Sequence, residues 1–311
     1  MELTNRLRRR FIKDNSLPIP LTDEPYFSYF MDLYDAEFAT KKKMADFMEI
    51  VSKFETEEEV LDYMALITDK IINDVKENLK YQEFLQADMK QFAVKRTQRY
   101  PSSTIFKEHH TGKELISIDL SKANFQAMNY VDKEILNART YREFVSRYTN
   151  LEHIMNSKYI RQIIFGNLTK RIDTVELFMT YQIVEKLEQF GYTILLVTND
   201  EVVLEGDKDI YENCVKLVQE LPFDVAVEHF VLKVLRNEHN QPFKSDKFFV
   251  KEFLDYTDEK ISSFEIKATD STFYSQFYKL LKGMEVVDND LVFINEGFVA
   301  MYREKISGTV S

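Results

Sequence analysis

The sequence predicts an α+β protein, and three observations predict it. Apolar residues recur at helical spacing through the first third of the chain, short β-branched runs follow from residue 114 onward, and turn-formers are scarce, with seven Gly and six Pro in 311 residues. That scarcity argues against a turn-rich all-β fold and against long flexible linkers. A hydrophobic content of 44% with 30% charged residues is ordinary for a folded chain. Phe (25) and Tyr (17) supply much of the core volume in the absence of Trp.

Taken in order, residues 1–110 read as a helical N-terminal region. Val60, Leu61, Met64, Ile67, Ile71, Ile72 and Val75 form one stripe with the period of an amphipathic helix. Thr56 followed by Glu59 matches a capping box and places the start of that helix. Pro101-Ser-Ser103 marks a break. Residues 111–240 read as a sheet-bearing core. Leu115-Ile-Ser-Ile118 is a short buried strand ending at Asp119, and a long helical stretch over 133–190 is closed by Gly191. Tyr192–Thr198 and Glu201–Glu205 are two β-rich runs around the polar turn Asn199-Asp200, the pattern of a hairpin. A helix over 208–221 stops at Pro222, and Val225–Leu235 reads as a strand. Residues 241–311 form a C-terminal extension, with a strand at Phe248–Phe253, a helix near Phe273–Leu281 and apolar runs around 286–301.

Composition removes several function classes. The single Cys214 lies on an apolar helical stripe with Ile210, Leu217, Val218 and Leu221 and reads as a core residue. No run approaches the ~18 apolar residues of a membrane helix, and the basic run Arg6, Arg8, Arg9, Arg10 is not followed by an apolar signal core. A cytoplasmic protein without a membrane partner is the expectation. The net charge of −11 confines any nucleic-acid contact to a local patch. The five His residues have no zinc-ligand spacing, and no phosphate-binding loop, dinucleotide fingerprint or serine-hydrolase elbow is present.

The chemistry-bearing residues are acidic. Asp119 ends a buried strand and Asp200-Glu201 occupy the tip of a hairpin, so an antiparallel sheet can bring these carboxylates side by side from distant sequence. Ordinary turn chemistry also produces Asp at both places. Lys95, Arg96 and Arg99 beside Tyr100 read either as a single-strand nucleic-acid contact or as a solvated helix end.

Three segments, in order, resemble the sequence motifs of the family A and family B DNA polymerase palm. Ile118-Asp-Leu-Ser-Lys-Ala-Asn-Phe125 is similar to motif A, Lys158-Tyr-Ile-Arg-Gln-Ile-Ile-Phe-Gly166 to motif B, and Val197-Thr-Asn-Asp-Glu-Val202 to motif C. Phe248-Phe-Val-Lys-Glu252, which contains Lys251, and Phe264-Glu-Ile-Lys267 resemble the segments that follow motif C in viral family B enzymes. The resemblance implies a palm-like antiparallel sheet with flanking helices and a nucleotidyltransferase using two Mg²⁺ or Mn²⁺ ions, nucleoside triphosphates and nucleic acid. It makes Asp119 and Asp200 the metal ligands and Glu201 a neighbouring catalytic carboxylate. Lys158 and Arg161 become triphosphate contacts, Phe165 a base-stacking residue, Gly166 a point of close backbone approach, and Lys251 a nucleic-acid contact. Asn124 takes the position where the families place their sugar-discriminating residue, and Val202 stands where family B has a second aspartate. Those departures, with the acidic balance, favour a competing expectation: a non-enzymatic scaffold whose aromatic-rich helices bind a protein partner or form an oligomer.

Overall fold

The structure is a computed structural model, and it describes residues 3–94, 98–240, 248–255, 260–267 and 269–311. Lys95 and Arg96 lie outside the described residues. The chain forms two compact units interleaved in sequence: Met1–Glu83, Lys133–Thr169 and Asp270–Lys305 make the first, and Phe84–Asp132, Lys170–Thr269 and Ile306–Ser311 the second. The linear partition expected at residues 110 and 240 gives way to this interleaving. Sheet pairing ties together strands far apart in sequence, while the helices between Lys133 and Thr169 join the first unit.

Among the described residues there are nine strands: β1 (Glu114–Leu120), β2 (Ile194–Val197), β3 (Glu201–Glu205), β4 (Val225–Asn237), β5 (Phe249–Asp255), β6 (Lys260–Lys267), β7 (Val292–Asn295), β8 (Phe298–Met301) and β9 (Gly308–Val310). In the second unit the order across the sheet is β2-β3-β1-β4-β5-β6, every described pair antiparallel, with β9 pairing the far end of β4. The first four strands and their intervening helices run β-α-β-β-α-β, with sequence-distant β1 between β3 and β4. The expected α+β class and mostly antiparallel sheet are therefore present.

Strand alternation assigns the two faces. Ile116 of β1 pairs with Leu204 and His229, and this face takes the helices: the His229 ring stacks on Tyr211 of the Lys208–Val218 helix, with centroids 5.4 Å apart. Gly206 begins that packing, because a Cβ there would lie 2.7 Å from Ile116 and 2.8 Å from Ile210, so any side chain would force strand and helix apart. The opposite face carries Leu115, Ser117 and Asp119. Its apolar half is a cluster of Ile105, Leu115, Leu196, Val203, Phe230 and Phe249 with their neighbours. The Arg171–Gln189 helix ends at Gly191, whose φ of +72° supplies the expected left-handed closure. Cys214 is a core residue, as its stripe predicts, and burial pushes its thiol up to about 11.

The first unit is mainly helical. Its longest helix, Glu57–Glu77, starts at the predicted capping box, with Thr56 and Glu59 each satisfying the other's backbone. Phe11, Phe30, Tyr34 and Phe47 are fully buried. Asp14, also fully buried, accepts two bonds from Arg10 Nε (2.8 and 3.0 Å) and lies 2.9 Å from His153 Nε2. Without such partners a buried carboxylate costs several kcal/mol. The apolar runs after residue 286 form the β7–β8 hairpin. β9 escapes sequence reading because three residues, Gly308-Thr-Val310, carry too short a pattern to register as a strand.

Candidate functional site

The site forms where β1, β3 and β4 meet, on the face opposite the Lys208–Val218 helix. In the β1–β3 register Asp119 stands opposite Glu201, and the Leu120 N–H donates to the Asp200 carbonyl at 2.8 Å, so the end of β1 is locked to the hairpin turn. Thr198 builds that turn. Its hydroxyl donates to Asp200 Oδ1 (3.0 Å) and accepts the Glu201 N–H (3.0 Å). From the helix side, Thr180 Oγ1 donates to the Asn199 carbonyl at 2.7 Å. Asp119, Asp200 and Glu201 are thus brought together by the two local features that the sequence showed, a strand end and a hairpin tip.

One further carboxylate and one cation complete the cluster. Glu228 of β4 pairs with Ser117 in register, on the same face. Lys251 of β5, only 4% exposed, extends its Nζ to Glu228 at 3.0 Å and Glu201 at 4.0 Å and lies 4.5 Å from the Phe230 ring centroid. Ser117 Oγ donates to Glu201 at 2.5 Å. Lys251 was expected as a nucleic-acid contact, but its buried ion pairs make it an internal counter-ion. A period-two reading finds it: Phe249, Lys251 and Phe253 share one face of β5, so the lysine belongs to the packed side. Glu228 carries the same signal, being in step with Phe230 and Leu232 on β4.

Asp119 is the uncompensated member. Its carboxyl accepts no hydrogen bond among the described residues, and it is pushed up to about 7, first by burial and then by Asp200, Glu201 and Glu228, against a lowering by Lys251. Asn124, near the start of the Ala123–Val131 helix, donates to Glu176, which is 6% exposed on the Arg171–Gln189 helix. Burial pushes Glu176 up to about 7 as well, the Asn124 bond opposing it while Asp173 and Asp200 add to it. Glu176 falls on the stripe of Ile172, Val175, Met179 and Ile183, a carboxylate at an apolar position that marks it in retrospect.

Arg99 and Tyr100 line a cleft of about 500 Å³ with Leu177, Tyr181 and the Val197–Asp200 turn. Residues 158–166 belong to the first unit. Lys158 opens the Lys158–Gly166 helix, Arg161 lies 5.6 Å from the Tyr141 ring, and Phe165, 3% exposed, is 6.3 Å from that ring. The expected base-stacking Phe165 is therefore a core residue. Gly166 ends its helix with nothing within 4 Å of a Cβ built on it, so no close backbone approach is formed there.

The donor set is one that suits a hard cation: carboxylate oxygens, with Asp119 raised first by burial and then by its acidic neighbours. No three His, Cys, Asp or Glu side chains already converge as a ready metal cage among the described residues. A hydrated Mg²⁺ does not require one, since it takes one or two carboxylates and fills its remaining positions with water and substrate oxygens. No helix among the described residues is long and apolar enough to cross a membrane. Neither a protein-family model nor a curated protein nor a solved structure matches the chain.

Proposed function

We propose that the protein is a metal-dependent nucleotidyltransferase that extends a nucleic-acid end, templated or not, with Mg²⁺ or Mn²⁺ as cofactor. The observation that carries this reading is the Asp119 carboxyl, set against the Asp200-Glu201 turn, accepting no hydrogen bond among the described residues and pushed up to about 7. Lys251 already pairs with Glu228 and lies near Glu201, so Asp119 and Asp200 are the pair left to hold a divalent cation. Bound there, the cation supplies charge for activating an attacking hydroxyl and stabilising a leaving pyrophosphate. The chain's own residues fix the ligands. The β1–β3 register sets Asp119, Thr198 orients Asp200, and Ser117 with Lys251 holds Glu201. The Arg99–Tyr100 cleft beside Asp200 offers a cation and aromatic rings to a nucleic-acid strand.

The test is nucleotide incorporation by purified protein given a labelled primer-template, a labelled single strand or no primer, with Mg²⁺ or Mn²⁺ and dNTPs or NTPs. Incorporation lost in both Asp119→Ala and Asp200→Ala is the expected result. No incorporation under any condition, with the protein folded, sinks the proposal. One observation favours the competing reading, a binding scaffold: the β7–β8 hairpin exposes Ile294, Phe298, Val299 and Met301, an apolar surface suited to a protein partner or a second copy.

A further inference from the structure

We infer that the first unit contains a phosphoryl-anion site separate from the carboxylate cluster. A cavity of about 340 Å³ is lined by Lys42 and Lys43 from the Thr40–Val51 helix and by Lys158 from the Lys158–Gly166 helix, with Asp14, Asp46, His153 and two asparagines. A water takes ~30 Å³, so the space is that of about ten waters and admits a pyrophosphate or triphosphate group.

The charge around the cavity is unbalanced. Asp14 is taken up by Arg10 and His153, and Asp46 by Lys42 at 2.9 Å. Neither Lys43 nor Lys158 forms an ion pair among the described residues. Lys43 is half-buried, and burial alone pushes its ammonium down, with no acid opposing it. Arg10 and Lys13 add positive charge from the neighbouring helix, lying 5.7 and 4.1 Å from the Tyr159 ring. Three lysines thus line the cavity with two carboxylates, both of which are already engaged, by Arg10 and by Lys42, and this leaves Lys43 and Lys158 in excess.

Helix electrostatics sharpen the imbalance. Lys42, Lys43 and Lys158 stand in the first turns of their helices, where the macrodipole disfavours cations, and neither first turn contains an acid. Asp35, reaching the Lys41 N–H at 2.9 Å, relieves one of these ends from outside the helix. An anion in the cavity reverses the sign of the arrangement, because the lysines and the positive ends of the two helices then act together on one negative charge. A phosphoryl group suits this better than a carboxylate, since it presents several charged oxygens to three separate ammonium groups.

The site uses no residue of the carboxylate cluster, so it stands or falls independently of the proposed activity. Isothermal titration of the full chain at low salt would use pyrophosphate, inorganic phosphate, ATP and a short oligothymidylate as probes. We expect pyrophosphate or ATP to bind, with Lys43→Gln and Lys158→Gln each weakening the affinity about tenfold. Lys41→Gln, whose lysine pairs with Asp32 away from the cavity, should match the wild type. Circular dichroism confirms that the variants are folded. ATP binding no tighter than pyrophosphate assigns the site to a terminal phosphoryl group, and a tighter oligothymidylate assigns it to a nucleic-acid backbone. Absence of binding by every probe, or affinities unchanged in both lysine variants, overturns the inference.

Discussion

The end of β1 with its facing hairpin, and the helix Lys158–Gly166, carry sequence signals of similar strength, and the structure uses them differently. At the first, Asp119, Asp200 and Glu201 come together on one sheet face, because a paired strand fixes the side of every residue. At the second, a basic–aromatic–glycine pattern turns out to fit an ordinary amphipathic helix: Ile160, Ile164 and Phe165 are buried, and Arg161 lies along Tyr141. A helix motif of that composition is satisfied equally by core packing and by a nucleotide site. A carboxylate at a strand end opposite a hairpin tip has fewer structural uses, so its spatial convergence is the more informative outcome.

The comparison breaks most visibly at the level of activity. If the proposed chemistry holds, Asp119→Ala and Asp200→Ala should each reduce incorporation by about a thousandfold or more, as expected for removing a metal ligand. Arg161→Gln should leave the catalytic rate within about threefold, because its guanidinium is committed to Tyr141. Equal losses at the two places would mean that the helix serves the reaction after all.

Stability should divide the regions the other way. Phe165→Ala removes a ring that is 3% exposed and should cost about 3–5 kcal/mol in urea unfolding, whereas Phe165→Leu should cost less than about 1.5 kcal/mol. A stacking residue would show the opposite profile, a small stability loss with a large rise in KM for the nucleotide.

The same contrast explains what was legible in the chain. The capping box at Thr56, the strand at Leu115–Ile118, the hairpin around Asn199-Asp200 and the closure at Gly191 were readable because each is decided by a few adjacent residues. The carboxylate convergence followed from two such local facts joined by one pairing. The interleaving of the two units was not readable, because it depends on which distant segments pack together, and nothing local at Asp132 or Thr169 marks a crossing. The charge of Lys251 suggests a surface contact, and the structure buries it. Its place between Phe249 and Phe253 on one strand face already told that it points inward, and a buried lysine needs acids.

That need gives the next prediction. Lys251→Met should destabilise the protein by about 3 kcal/mol, since it leaves Glu228 and Glu201 facing each other without a cation. Adding Glu228→Gln should recover part of the loss, and a double-mutant cycle measures the coupling. A near-neutral Lys251→Met would show that the lysine is a solvated contact and not a counter-ion.

The smallest expected effect tests the site most directly, through the pH dependence of Asp119→Asn. Asp119 binds its proton more tightly in the folded chain, at about 7, than an unfolded aspartate does near 3.8. A raised value favours the folded state fully below the unfolded value, and that contribution is lost as pH climbs through the folded one. Wild-type stability should therefore fall between about pH 4 and pH 7 by an amount traceable to this group, and Asn, always neutral, should escape that part of the fall. The full shift corresponds to roughly 4 kcal/mol, and about half of that is a fair expectation for a half-buried group screened by solvent. Thermal melts from pH 4 to pH 9 would show the two proteins diverging as pH rises and running parallel above about 8. Mg²⁺ should narrow the gap above pH 7 by stabilising the wild type and leaving Asp119→Asn unmoved, and the effect should fade below about pH 6, where protons outcompete the cation. Identical pH slopes for the two proteins would mean that Lys251 already neutralises Asp119. The cluster would then be a closed structural network with no unmet negative charge to draw a divalent cation.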